Sequence, residues 1–309
     1  MLPLLEQRGS KNISENERKS SSETDLQTAA VCDGKSKLLD VGCGTGASAL
    51  IALSHGYDVV VTDVSEAMVE RTKERAAVAI RQAAERGGDT SDRSNFQSQL
   101  DSLSESVVAE GQNLPSRWSE SFDLAVANFS VIFFPQPVQG LKEIFRCLLS
   151  GTGIVALTAW GDASETPAFR IFPEVVSAVL PELAASGKPK RITGSAEVLT
   201  KLLEEAGFVD VRIVGPVFKT LVVRTPSEFY DRFALTSPPT AAMIAKMDAI
   251  TQSNFRKHIM DAAKVRGGKE DGSIALDSGA YIAYGRKPAS VQPREGGTRK
   301  TSFSMTPHN

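Results

Sequence analysis

Residues 38–46, with the sequence L-L-D-V-G-C-G-T-G, constrain the fold more than any other segment of the chain. The apolar residues before the turn are typical of a parallel strand that is covered on both faces. Three glycines at alternate positions permit a sharp turn, and they carry no Cβ atoms that would keep a ligand at a distance. A helix that begins directly after the turn offers unpaired N–H groups and the positive end of its dipole to a ligand. The segment therefore predicts a strand, a glycine turn and a helix that together bind a nucleotide-type ligand.

Asp40 lies two residues before the first glycine and limits which nucleotide the turn can bind. Gly42, Gly44 and Ala47 satisfy the G-x-G-x-x-G/A pattern of dinucleotide-binding proteins. In a site of low dielectric constant, however, a carboxylate repels a pyrophosphate, and no Lys or Arg stands next to the turn in the sequence to offset that repulsion. We therefore favour a phosphate-free ligand with an amino group and a sulfonium over a dinucleotide, and over a purely structural turn.

The D-x-G-x-G-x-G pattern at residues 40–46 resembles the first motif of the class I S-adenosylmethionine-dependent methyltransferases. Later segments are similar to further motifs of that family: E-G-Q-N-L-P at 110–115, S-F-D-L-A-V at 121–126, L-L-S-G-T-G at 148–153, and a helix followed by A-G-F at 195–208. The resemblance covers residues 37–214 and resumes at the last strand. It points to the small-molecule group of the ubiquinone- and menaquinone-biosynthesis type (methyltransferase type 11/25), and it implies S-adenosyl-L-methionine as the cofactor.

The order of predicted elements indicates the fold class. Strands are predicted at residues 37–41, 57–62, 106–109, 121–128, 154–160, 209–213 and 280–286. Helical patterns alternate with them, which predicts an α/β fold: a Rossmann-like, doubly wound, seven-stranded, mostly parallel sheet with helices on both faces and an antiparallel last strand. We expect a disordered N-terminal segment at 1–34, a methyltransferase domain at 35–287 and a disordered tail at 288–309. Within the domain we expect an insertion at about 86–104 and a helical lid at about 226–264.

A second carboxylate is predicted at the end of the second strand. Asp63 lies where it could accept two hydrogen bonds from the vicinal hydroxyls of a ribose, or where it could simply begin a helix. Val64 would then pack on the adenine. The resemblance implies that Glu110 accepts from the adenine amino group and that the N–H of Gly111 faces a ring nitrogen. The full predicted set of cofactor contacts is Asp40, Gly42, Cys43, Gly44, Thr45, Gly46, Asp63, Val64, Met68, Glu110, Gly111, Gln112, Asn128 and Phe129.

The acceptor side of the predicted site is apolar. Many small-molecule members of the family that the chain resembles carry a histidine or two a few positions after the fourth strand. This chain has Phe133 and Phe134 there, which predict an apolar wall or ordinary core packing. Tyr230 is a further predicted substrate contact. No catalytic residue is assigned, and His258 is a weak candidate for a general base. The lid helix would present Met243, Met247, Ile250, Asn254 and His258 on a single face.

Composition narrows the remaining function classes. The chain has 309 residues and a net charge of −2, which gives no electrostatic argument for nucleic acid. Its three cysteines share no metal or redox spacing, so we expect a reduced, cytoplasmic setting and no bound metal. No apolar run reaches the roughly 18 residues of a membrane span. The oligomeric state stays open.

The sequence thus predicts a methyltransferase that acts on a small, hydrophobic acceptor, with quinones and secondary metabolites among the candidates. Transfer from a sulfonium needs alignment more than acid–base catalysis, because held geometry can supply roughly 7–11 kcal/mol of the barrier. Oxygen, nitrogen and carbon acceptors are therefore not distinguished. Two alternatives remain: a non-catalytic cofactor-binding partner of an enzyme complex, and an NAD-dependent oxidoreductase.

Overall fold

The computed structural model describes residues 35–86, 102–162, 164–184, 194–236 and 238–290. The predicted N-terminal segment 1–34, residues 87–101 of the predicted insertion and residues 291–309 of the predicted tail lie outside these ranges. Within the described residues, no helix has the length and apolar character needed to cross a membrane.

A seven-stranded sheet organises the described residues. The strands are β1 (Lys37–Val41), β2 (Asp58–Asp63), β3 (Leu103–Val108), β4 (Leu124–Asn128), β5 (Ile154–Trp160), β6 (Val209–Val223) and β7 (Ile274–Arg286). Their order is β3-β2-β1-β4-β5-β7-β6. Neighbours from β3 to β5 are parallel, and β7 is antiparallel to both β5 and β6. The predicted doubly wound, mostly parallel sheet with an antiparallel last strand is confirmed.

Helices connect the strands and cover both faces of the sheet. They are α1 (Ala47–Ser54), α2 (Glu66–Arg86), α3 (Pro137–Cys147), α4 (Pro167–Val179), α5 (Pro181–Ala184), α6 (Ala196–Glu205), α7 (Pro226–Thr236), α8 (Pro238–Ile244) and α9 (Ala249–Gly267). Alternate strand residues point to opposite faces. Leu39 and Val41 accordingly join a core with residues of α3 and α6, whereas Leu38 packs with residues of α1 and α2.

The strands β6 and β7 extend past the carboxyl end of β5. Trp160, the last residue of β5, pairs with Ala280, and residues 274–279 of β7 pair with β6 but no longer with β5. This two-stranded extension shares a separate hydrophobic core with α4, α7 and α9, which buries Phe229 and Phe255. We call residues 217–223 and 274–279 together with α4, α7, α8 and α9 the cap. Because it projects from the carboxyl edge, the cap lies on the side where ligands of open α/β sheets bind.

The prediction that five residues of the lid share one helical face is wrong, because one helix ends and another begins within that segment. Asp248 begins α9, since its side chain accepts hydrogen bonds from the N–H groups of Ile250 and Thr251. Met243 belongs to α8, and Met247 lies between the two helices. Of the five residues that were predicted to share one helical face, only Ile250, Asn254 and His258 lie in the same helix, α9.

Candidate functional site

Asp40, the last residue but one of β1, is buried, with 1% of its surface exposed. Its Oδ2 accepts a hydrogen bond of 3.1 Å from the N–H of Ala49 in α1, and its Oδ1 has no hydrogen-bond partner among the described residues. The pKa of Asp40 is raised to about 7, mainly because the side chain is buried. The hydrogen bond from Ala49 lowers this pKa, and the negative charge of Asp63 raises it to a smaller extent than burial does. A buried acceptor without a donor fits a ligand that brings N–H groups or positive charge.

The glycine turn has one open position and two packed ones. Gly42, Gly44 and Gly46 all adopt left-handed φ angles, of 70°, 55° and 83°. A Cβ atom on Gly42 would lie 2.4 Å from Ser130 Cβ, and one on Gly46 would lie 2.8 Å from Thr72 Cγ2. A Cβ on Gly44 would meet no atom of the described residues within 4 Å. The open space at Gly44 is therefore where a ligand can approach the backbone closely.

The carboxylate of Asp63 lies against the same turn. Its Oδ2 accepts from the N–H of Gly44 at 2.9 Å, and its Oδ1 accepts from the N–H of Ser65 at 2.9 Å. An ionised carboxylate has about four lone-pair positions, so each oxygen can still accept another donor. The half-buried Asp63 thus has the capacity that the predicted ribose contact needs.

Arg75 corrects one premise of the sequence interpretation. No basic residue is next to the turn in the sequence, but Arg75 of α2 donates to both the carbonyl and the hydroxyl oxygen of Thr45. One helical turn earlier, Thr72 donates to the carbonyl of Gly44 at 3.0 Å. Helical spacing predicts that Arg75 lies next to Thr72 on α2. It would have placed Arg75 at the turn only if the contact between Thr72 and the turn had been known. The argument against a phosphate ligand therefore cannot use an absence of cations at the turn and depends on the carboxylates of Asp40 and Asp63 alone.

Phe134 packs as core and not as an exposed wall. A Cβ atom on Gly111 would lie 2.2 Å from Phe134 Cζ, and one on Gly140 would lie 2.3 Å from Phe134 Cδ2. The two glycines therefore form a slot that holds the ring. Of the two interpretations of this residue, the structure supports core packing. The predicted contact of the Gly111 N–H with adenine stays a prediction.

Several other predicted contacts lie at the surface. Large fractions of the side chains of Val64 (68%), Met68 (38%) and Phe133 (64%) are exposed. Glu110 is also exposed, and Gln112 accepts from the N–H of Gln136 at 2.6 Å. Their exposure is compatible with contact to a ligand, and the roles of these residues stay predictions.

Cys43, inside the glycine turn, has an unreactive thiol. Burial raises its pKa to about 12, while a hydrogen bond with Thr72 lowers it. Its backbone N–H is also engaged, because it donates to the carbonyl of Thr62 at 2.9 Å. Cys43 therefore anchors the turn to β2 and α2, and its predicted contact with the cofactor stays a prediction.

The two predicted residues of the cap, Tyr230 and His258, have local partners. Tyr230 is buried, stacks on Phe172 with ring centroids 5.9 Å apart, and lies under the guanidinium of Arg256 at 4.7 Å. Burial raises its pKa. His258 is exposed, and its Nδ1 is 2.7 Å from the carbonyl oxygen of Asn254 in the same helix. This geometry gives no support to a role of His258 as general base.

Sequence reasoning missed a polar relay at the ends of β4 and β5. Thr158 donates to Oδ1 of Asn128 at 2.7 Å, and its Oγ1 accepts from the N–H of Phe129 at 2.8 Å. The neighbouring Ser130 donates to the carbonyl of Val41 at 2.6 Å, directly before the glycine turn. Pairing of β4 with β5 creates this relay, and no local sequence pattern signals it.

Comparison with known proteins agrees with the predicted family. Residues 39–156 match the family described as "Methyltransferase domain". A demethylmenaquinone methyltransferase from Clavibacter sepedonicus is 32% identical over 119 residues, which are 38% of this chain and 39% of that protein. The chain thus spans about two fifths of the length of the curated relative it matches. The match of residues 39–156 to a methyltransferase domain supports the predicted family and S-adenosylmethionine as its methyl donor.

Solved structures with a similar fold include a methyltransferase candidate from Bacillus halodurans, with 18% identity, a TM-score of 0.49 and coverage of 86% of this chain and 98% of that chain. The 4+2 cyclase SpnF has 23% identity, a TM-score of 0.47 and coverage of 86% and 81%. At these values the likeness carries no information about function.

Proposed function

We propose that this chain, whose residues 39–156 match a methyltransferase domain, moves a methyl group from S-adenosylmethionine to a small, hydrophobic acceptor. The observation that carries the proposal is the buried Oδ1 of Asp40, which receives no hydrogen bond from the described residues and belongs to the strand that leads into the glycine turn with its open position at Gly44. An amino group or a sulfonium near this oxygen would stabilise its ionised form, whereas a pyrophosphate would not.

The chain's own residues would hold the donor at three points. Asp40 would face the cationic end, the backbone at Gly44 would allow close approach, and Asp63 would accept from the ribose hydroxyls. The two carboxylates repel each other, as the effect of Asp63 on the pKa of Asp40 indicates. A cation between or near them would relieve that repulsion.

Catalysis would consist mainly of alignment. When bound, S-adenosylmethionine would supply an electrophilic methyl group on a sulfonium, whose leaving group is a neutral thioether, and a proton of the acceptor would pass to solvent. The protein would exclude water and hold the acceptor in line, which can contribute roughly 7–11 kcal/mol. A general base adds only about 10²–10⁴-fold, so the local partner of His258 does not count against the proposal.

Native mass spectrometry of the purified protein tests the proposal directly. We expect a co-purified mass of S-adenosylmethionine or S-adenosylhomocysteine, and incorporation of labelled methyl groups into at least one member of a panel of phenols, quinols and amines. A protein that binds the donor but methylates nothing across the panel would favour the non-catalytic partner. A co-purified nicotinamide dinucleotide would favour the oxidoreductase.

A further inference from the structure

We infer that the chain forms a two-fold symmetric dimer in which residues 217–223 of β6 pair antiparallel with the same residues of a second copy. We call these residues, which have the sequence V-F-K-T-L-V-V, the edge segment. The inference concerns a surface of the cap and is independent of the proposed function.

One side of the edge segment is unpaired. β6 is the last strand of the sheet, and among the described residues it pairs with β7 alone. Residues 217–223 pair with residues 274–280 of β7 without a shift in register, so their backbone is regular. Their other side therefore presents a continuous row of N–H and C=O groups about 24 Å long, which is a template for another strand.

The two halves of β6 differ in their protection against such pairing. In the first half, the register shifts between Val214 and Val217, and Pro216 has no N–H to donate. Bulges, prolines and charged side chains are the devices that keep an edge strand from pairing. The edge segment has only one of them, the charge of Lys219. Its large apolar side chains are exposed by about half or more: Val217 (49%), Phe218 (54%) and Val222 (60%).

The exposed apolar side chains include two on the face that points away from the cap core. Leu221 packs against that core, and side chains alternate along a strand, so Phe218, Thr220 and Val222 point to the opposite face. The ring of Phe218 is held on this face by Gly279 of β7, because a Cβ atom on Gly279 would lie 3.0 Å from Phe218 Cε1. The apolar surface is therefore next to the unpaired edge, where a second strand would extend it.

The order of residues in the edge segment favours its own copy as the partner. Antiparallel pairing about Thr220 places Thr220 opposite itself and Phe218 opposite Val222 of the partner subunit. Thr–Thr and aromatic–β-branched pairs across strands are stabilising. Lys219 would lie opposite Leu221, along which its aliphatic stem can pack. Pairing about Lys219 would instead place two like charges directly opposite each other, which is destabilising. A two-fold dimer forms each favourable pair twice.

Disulfide cross-linking tests the register. Directly opposite residues have Cα atoms about 4.5–5.5 Å apart, which is within the range of about 4.4–6.8 Å for a disulfide. Thr220→Cys, in a chain that also carries Cys32→Ser, should therefore give a covalent dimer under mild oxidation that a reductant reverses. The remaining cysteines, Cys43 and Cys147, are buried.

The matched control is Val222→Cys in the same Cys32→Ser chain. Two copies of Val222 lie on opposite sides of the two-fold axis, so this variant alone should not cross-link. Mixed with Phe218→Cys, it should form a covalent heterodimer. Absence of a covalent dimer of Thr220→Cys, or cross-linking of Val222→Cys alone, would overturn the inference.

Analytical ultracentrifugation tests the dimer without a cross-link. We expect the wild type to have twice the 33.1 kDa mass of the chain. Val222→Glu would bury a carboxylate against Phe218 of the partner subunit, so the dissociation constant of the dimer should rise at least roughly tenfold. Val265→Glu, at a position of α9 that is 87% exposed, should leave it unchanged.

Circular dichroism shows whether each variant is folded, and the cysteine variants keep the test valid if Val222→Glu does not fold. A monomeric wild type would overturn the inference. So would a dimer that a folded Val222→Glu leaves unchanged, because the interface would then lie elsewhere. Neither experiment uses S-adenosylhomocysteine, so failure of this inference and failure of the proposed function are distinguishable.

Discussion

The carboxylate of Asp63 joins the end of β2 to the glycine turn, because its Oδ2 accepts a hydrogen bond of 2.9 Å from the N–H of Gly44. The same side chain also accepts from Ser65 at the start of the following segment. One residue therefore fixes the turn and offers its remaining lone pairs to a ligand.

Replacing Asp63 should weaken donor binding. Asp63→Ala removes a charge-assisted acceptor worth about 1.5–3 kcal/mol, so the Kd for S-adenosylhomocysteine should rise at least roughly tenfold. Asp63→Asn keeps one oxygen that can accept from Gly44, and we expect a smaller loss. Calorimetry measures both, with Glu70→Ala on the exposed surface of α2 as the control. Unchanged affinity in Asp63→Ala would contradict the ribose contact.

A side chain at Gly44 should abolish binding without unfolding the protein. Gly44→Val would fill the open space of the turn, where a Cβ meets none of the described atoms. Gly56→Val is a matched control, since Gly56 also has a left-handed φ and open space around its Cβ but lies outside the site. We expect similar losses of thermal stability in the two variants and loss of S-adenosylhomocysteine binding in Gly44→Val alone. Equal affinities in the two variants would contradict the role of the turn.

The raised pKa of Asp40 should make the ligand-free protein less stable as pH rises. Its pKa is about 7 in the folded protein and 3.8 in the reference state, so the folded protein binds more protons between these values. The stabilising contribution is fully present below the unfolded pKa and is lost as pH rises through about 7. Relative to Asp40→Asn, the wild type should lose about 1.4 kcal/mol of unfolding free energy per pH unit in this window. Denaturant titrations at pH 5, 6, 7 and 8 measure it, and parallel curves would contradict the buried ionisable carboxyl.

Two of the three cysteines should resist thiol reagents in the folded protein. Burial raises the pKa of Cys43 to about 12 and that of Cys147 to about 11, so both are protonated at neutral pH. Titration with a chromogenic disulfide at pH 8 should detect at most one rapidly reacting thiol, and three after denaturation. Rapid reaction of Cys43 or Cys147, identified by peptide mapping, would show that these residues are accessible.

The sequence was most informative where the structure depends on local patterns. The strand, turn and helix at residues 38–46 follow from apolar runs and glycines, and alternation of strands and helices follows from their periods. Arg75 could not be predicted at the turn, because α2 brings it there from 30 positions away. The slot for Phe134 could not be predicted either, because the fold brings Gly111 and Gly140 to the same aromatic ring.

The two long strands show a second limit of local patterns. Residues 280–286 were predicted as the last strand, but β7 begins at Ile274, and β6 continues past Gly215 and Pro216 to Val223. Glycine and proline normally interrupt a strand, so they conceal the extension. It is held by pairing between β6 and β7 and by the core of the cap.

Titration of the wild-type protein with S-adenosylhomocysteine and with NAD under identical conditions tests the central claim most directly. The claim is that Asp40, Gly44 and Asp63 form a site for a phosphate-free adenosyl ligand. We expect saturable one-to-one binding of S-adenosylhomocysteine and no binding of NAD. Binding of NAD, with S-adenosylhomocysteine giving no heat and no competition, would contradict it.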